Sequence, residues 1–179
     1  MKATGDIQCW INSDDMLEYG ALIEVADFFI EHPNAQVVTG DAILIDEHGK
    51  ITRVQKQIKF YRFLWIYDHN YITQSSTFWR RELYERVGGL DPAFDVSMDA
   101  DLFIRFADVT ELHHVRKLWS RFRLHDGQKS CNKVADMKKM SDIIRYRYIM
   151  NENLFSRQFK RVIAIMARRA LKLCSGCYF

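Results

Sequence analysis

Carboxylates, a histidine and a lysine gather at three places in this sequence, in patterns that suit phosphate chemistry. The first is Asn12-Ser13-Asp14-Asp15, which ends the apolar run Ile7-Gln8-Cys9-Trp10-Ile11. The second is Asp99 with Asp101, and the third is His125-Asp126-Gly127-Gln128-Lys129-Ser130. Mg²⁺ and Mn²⁺ take oxygen ligands, usually one or two carboxylates together with substrate phosphates. A carboxylate pair for such an ion, a separate carboxylate to accept a proton and a His/Lys loop for an anion make a coherent set. Each cluster also has a plainer use. Asn, Ser and Asp are good N-cap and turn residues. Asp99 can cap a helix, and Asp101 with Arg105 forms an i, i+4 ion pair worth about 0.2–0.5 kcal/mol on a surface. His125 can be an ordinary turn histidine.

Positioning these groups falls to alternating strands and helices. Ile7, Trp10 and Ile11 read as a strand, and a strand ending in acids delivers carboxylates to the carboxyl end of a sheet, where open α/β sheets bind ligands. Gly20 to His32 reads as a helix, with Leu22, Val25, Ala26 and Phe29 at helical spacing and Pro33 as its stop. Gln36 to Ile45 is strand-like, and Glu47-His48-Gly49-Lys50 turns it into a second run at Ile51–Val54, so a hairpin in a mixed sheet is expected. Phe60–Tyr67 reads as a short helix or lid. Ser75–Trp79 reads as a strand, Arg81–Val87 as a helix closed by Gly88-Gly89, and Asp99–Ala107 as a helix. Two extended pieces, Leu112–Val115 and Leu118–Leu124, precede the His125 loop, and residues from Lys133 onward read as helix.

The 179 residues, 48% hydrophobic, suit a globular domain with its own core. The net charge of +3 hides an asymmetry: residues 133–179 hold 11 Lys and Arg against 3 Asp and Glu, and the remainder holds 15 against 20. This divides the chain into an acidic body, 1–132, and a basic helical tail, 133–179. No run reaches the ~18 apolar residues of a membrane span, and the N-terminus lacks the apolar core of a signal peptide. Four cysteines are too scattered for a disulfide framework, and Cys174-x-x-Cys177 is half of a zinc pattern. A cytoplasmic setting is expected.

Four segments, in order, resemble family 2 glycosyltransferases of the GT-A fold. They are Ala3–Asp15 with Gly20-Ala21-Leu22 and Val38-Thr39-Gly40-Asp41; Gln74–Arg81 with Val87-Gly88-Gly89-Leu90-Asp91; Met98–Arg105; and Phe122–Ser130. Together they span about residues 3–130. The resemblance implies a partial GT-A (Rossmann-like) mixed sheet with flanking helices. It also implies inverting transfer of a sugar from a nucleotide-diphosphate donor, such as a UDP-sugar, to an acceptor hydroxyl in surface polysaccharide or glycan synthesis. In that reading Asn12-Ser13-Asp14 stands at the D-x-D motif. Asp14 and His125 hold Mn²⁺ or Mg²⁺, and Asp99 is the general base. Asn12, Asp15, Gln74 and Lys129 contact donor or acceptor. Two positions depart from the family pattern: Asn12 is a neutral ligand, and Met98 stands where a Glu usually precedes the base.

The family's nucleoside-binding strands ordinarily precede the acidic motif, which here lies a few residues from Met1. The resemblance is therefore to the metal- and acceptor-binding half. A non-catalytic remnant serving as a binding or scaffolding subunit is the alternative. In the tail, Phe159, Val162, Ile163, Met166 and Ala170 follow helical spacing among Lys160, Arg161, Arg168, Arg169 and Lys172. A basic amphipathic helix over 157–174 can lie at the inner face of an anionic membrane, which suits a lipid-linked acceptor. The same stripe can equally pack on the nucleoside-binding half of such a domain. No nucleic-acid recognition motif accompanies the basic tail.

Overall fold

Val37–Ile45 is buried at every one of its nine residues, the pattern of a strand with partners on both edges and cover on both faces. A computed structural model describes residues 3–128 and 133–177. In chain order the elements are β1 (Ile7–Cys9), β2 (Met16–Leu17), α1 (Ala21–Glu31), β3 (Val37–Ile45), β4 (Ile51–Gln55), α2 (Arg62–Tyr67), β5 (Thr77–Arg80), α3 (Arg81–Arg86), α4 (Met98–Val109), β6 (His113–Arg123), α5 (Val134–Ile149) and α6 (Leu154–Cys174). Short 3₁₀ turns cover Gln74–Ser76 and Pro92–Phe94.

The six strands of the described residues form one curled mixed sheet, five in the order β1-β5-β3-β6-β2 and β4 paired with β3 off that path. β3 runs parallel to β6 along one edge. Its other edge is shared, with β5 opposite Val37–Thr39 and β4 opposite Ala42–Ile45, both antiparallel. The expected hairpin is the β3–β4 pair. The two extended pieces expected at 112–124 are one strand, β6, because β3 pairs with it from His113 through Arg123 and its register shifts absorb the irregular middle. β2 is two residues long, too short to leave a periodic signal, and exists through its pairing with Ser120 and Arg121.

Strand alternation sends neighbouring residues to opposite faces. Val38 and Phe78 join Trp119 and the Ala21, Val25 and Phe29 stripe of α1. Val37 and Trp79 pack instead with Leu83 of α3 and Leu102, Phe103 and Phe106 of α4. The stripe of α1 is rotated from the sequence reading, since Leu22 is exposed and Ala21 takes the buried place. Gly40 makes the first face possible: a Cβ there would come within 2.6 Å of the Trp119 ring and 2.8 Å of the Lys117 carbonyl. Asp41, also on β3, is consumed inside the structure, accepting the Gln57 N–H at 2.7 Å and pairing with His114 at 3.1 Å.

The basic C-terminal helices complete this core. Ile144 of α5 is fully buried with Ile104, Phe94, Ala100 and Trp65. Ala164 of α6 is fully buried with Ile58, Leu64 and Tyr71. Ion pairs tie both helices down. Asp101 meets Arg105 at 2.7 Å and Arg147 at 2.8 Å, and Asp68 is clamped by Arg168. Asp101 and Arg105 were expected as a surface pair, yet the Asp101 side chain is only 1% exposed because α5 covers it.

Candidate active site

The acidic loop follows β1 and is built as a tight turn, with the Asp15 N–H donating to the Asn12 carbonyl at 3.2 Å. Two side chains hold it from outside. Gln74, on the 3₁₀ turn before β5, accepts from the Asn12 amide at 3.2 Å and donates to the Trp10 carbonyl. Arg123, at the end of β6, donates its backbone N–H to the Asp15 carboxylate at 2.9 Å and its Nε to the Asp14 carbonyl at 3.0 Å. Its Nη1 reaches the Asp46 and Glu47 carbonyls in the β3–β4 turn at 3.1 and 2.9 Å.

With its neighbours fixed, Asp14 points into a cleft of about 790 Å³. Its carboxylate lies 3.0 Å from His125 Nε2 and 3.5 Å from the Gln128 amide. Burial works to raise the Asp14 carboxyl, but the bonds from His125, its own backbone and Gln128 outweigh it and hold the group below the ordinary carboxylate range. Asp14 is therefore a carboxylate at neutral pH. Asp15 is shifted the other way, pushed up by burial and by the Asp14 charge against the opposing bonds from Arg123 and Asn12.

Asp99 stands in the first turn of α4, on the wall of the same cleft. Burial raises its carboxyl above the ordinary range, opposed by the backbone N–H groups of Ala100 and of Asp99 itself. Asn70 positions it. The Asn70 Oδ1 accepts the Ile72 N–H at 3.1 Å, which leaves its Nδ2 to approach Asp99 Oδ2 at 3.4 Å. A carboxylate with a raised proton affinity, held by one amide at the edge of a cleft, has the attributes of a general base.

The cleft thus brings together Asn12, Asp14, Gln74, Asp99 and His125. Asp15 does not line it; the residue is 8% exposed, and its carboxylate is spent on the Arg123 and Asn12 bonds. Lys129 lies outside the described residues. Three groups at the site had no role in the sequence reading. Arg123 and Gln128 fall within the Phe122–Ser130 segment and are defined by what they bond, whereas Asn70, between His69 and Tyr71, carries no sequence signal. Met137 of α5 also lines the cleft, so the C-terminal region contributes to its wall.

Among the described residues, no three His, Cys, Asp or Glu side chains converge as a metal cage. Cys174 and Cys177 are free, and the Cys177 thiol faces the Gln57 carbonyl at 3.4 Å. The donor set that does exist, one ionised carboxylate beside one imidazole, fits an ion that draws the rest of its shell from water and substrate oxygens, as Mg²⁺ and Mn²⁺ do.

No family model matches the chain, and no curated protein does. Among solved structures it is similar to S. aureus TarS, at 17% identity and a TM-score of 0.56 over 86% of this chain. TarS is a glycosyltransferase of GT-A-like fold. The chain spans about a quarter of the TarS chain, 26% of its length. The fold described above is therefore glycosyltransferase-like.

Proposed function

We propose that this chain is the metal- and acceptor-binding part of an inverting, family 2-like glycosyltransferase. It would transfer a sugar from a nucleotide-diphosphate donor to the hydroxyl of a glycan or lipid-linked acceptor, in surface polysaccharide or glycan synthesis at the cytoplasmic face. The observation that carries this reading is the convergence of Asp14–His125 and Asp99 on one cleft of a glycosyltransferase-like fold.

In this mechanism Asp99 accepts the proton of the acceptor hydroxyl as that oxygen attacks the anomeric carbon, and the bond to the donor diphosphate breaks. Asn70 keeps the Asp99 carboxylate turned to the cleft. Asp14 and His125 would hold Mn²⁺ or Mg²⁺, which when bound offsets the charge developing on the diphosphate. Asn12 and Gln74 present amide groups to the same space, and Asp15 acts at one remove by fixing the turn.

Calorimetric titration with UDP, GDP and CDP, with and without Mn²⁺, tests the proposal. Nucleotide binding should require the ion, weaken at least tenfold in Asp14→Ala and persist in Asp99→Asn. Binding indifferent to both Mn²⁺ and Asp14, or none with any of the three nucleotides, would overturn the assignment of the site and favour a scaffolding role.

A further inference from the structure

α6 turns a stripe of large apolar residues away from the protein. The face seated on the core is made of small and aliphatic groups, the fully buried Ala164 with Ala167 and Leu171 partly covered. Phe155, Phe159, Val162, Met166 and Leu173 are exposed by 83, 61, 54, 65 and 59%. Their spacing of i, i+4, i+7, i+11 and i+18 aligns them on one stripe, on the opposite side of the helix from Ala164. The core is therefore not what this stripe is for.

Charge identifies the complement. α6 carries Arg157, Lys160, Arg161, Arg168, Arg169 and Lys172 and no acidic residue. Lys160 and Arg168 are matched by Glu152 and Asp68 on the inner side. Arg161 and Arg169 are exposed, with Arg169 adjoining the stripe. A second copy of the helix is a poor partner. The stripe runs under three heptads, Arg169 adjoins its seam, and two such helices would face each other with like charges and no acid to offset them. An anionic lipid surface meets both requirements, taking up an apolar face and attracting the cations at its margin. No helix of the described residues is long and apolar enough to cross a membrane, so the contact is one of lying on the surface.

We propose that α6 docks the protein on an anionic membrane interface through the Phe155–Leu173 stripe. The proposal is independent of sugar transfer. The test is co-sedimentation of the full chain with phosphatidylcholine vesicles, with and without phosphatidylglycerol. Binding is expected only with the anionic lipid and should fade as salt is raised. The double variant Phe159→Ser/Met166→Ser should abolish it. Arg161→Gln and Arg169→Gln should each weaken it about fivefold. These side chains point outward, and circular dichroism of each variant checks that the fold is retained; should the serine variant unfold, the two arginine variants decide. Absence of binding, equal binding to neutral vesicles, or undiminished binding by the variants would overturn the proposal. A concentration-dependent oligomer seen by light scattering and lost in the serine variant would do so too, assigning the stripe to a second copy.

Discussion

Asp99 shows how a residue can be well placed for chemistry and poorly placed for stability. Its carboxyl is raised by burial, so the folded protein binds this proton at a higher pH than the unfolded chain, where Asp titrates near about 3.9. The native state then gains stability as pH falls through the raised value toward the unfolded one, and at neutral pH the charged group opposes folding. Asp99→Asn should accordingly leave the neutral-pH melting temperature unchanged or higher. On the active transferase it should lower turnover by about 10²–10⁴-fold. The acid limb of the wild-type rate profile should lie above the ordinary carboxylate range. Thermal melts of both proteins between weakly acidic and neutral pH, alongside turnover, check all three. Near-normal turnover in the variant would remove Asp99 from the mechanism. Asp99 and Asp14, which both line one cleft, were legible as candidates from their residue types and the motif order. The amide that aims Asp99 was not, because Asn70 meets it across 29 residues through a loop whose path no local pattern dictates.

Among the elements, the junction of α4 with α5 depends on one carboxylate. Asp101 sits between Arg105 and Arg147, and Arg105 continues to the Val87 and Gly89 carbonyls at 2.6 and 2.7 Å, where the φ of +71° at Gly89 shapes the chain after α3. Asp101→Ala leaves the largely covered Arg105 guanidinium without its buried carboxylate and should destabilise the protein by about 3–5 kcal/mol. Arg147→Ala should cost about 1 kcal/mol or less, since that side chain is 44% exposed and Arg105 remains. Urea unfolding at neutral pH measures both, and equal losses would contradict this division. The i, i+4 spacing of Asp101 and Arg105 was visible in the sequence, but its energetic class was not. Spacing reports which residues are neighbours on a helix, and only the cover supplied by α5 turns a surface pair into a buried one.

For the whole molecule, the charge boundary near residue 132 is not a boundary in packing. Apolar periodicity located α1, β3 and α4 because their buried faces are large and regular. It left α6 open between a membrane surface and a protein face, because the seat on the core is made of Ala164, Ala167 and Leu171 while the larger stripe faces outward. Ala164→Leu should therefore strain the seat by about 1–3 kcal/mol, lowering the melting temperature by roughly 2–4 °C for each kcal/mol. Met166→Leu, on the outer face, should leave it unchanged, and a melt of each variant distinguishes the two faces. Arg123 has a consequence of another kind. Surface turns are ordinarily where a chain tolerates added residues, and the solvent-exposed turn between β3 and β4 looks like such a place. Its Asp46 and Glu47 carbonyls, however, hold the same guanidinium that holds the Asp14 carbonyl. Lengthening that turn would be felt in the acidic loop, so the hairpin is less free to vary in length than its exposure suggests.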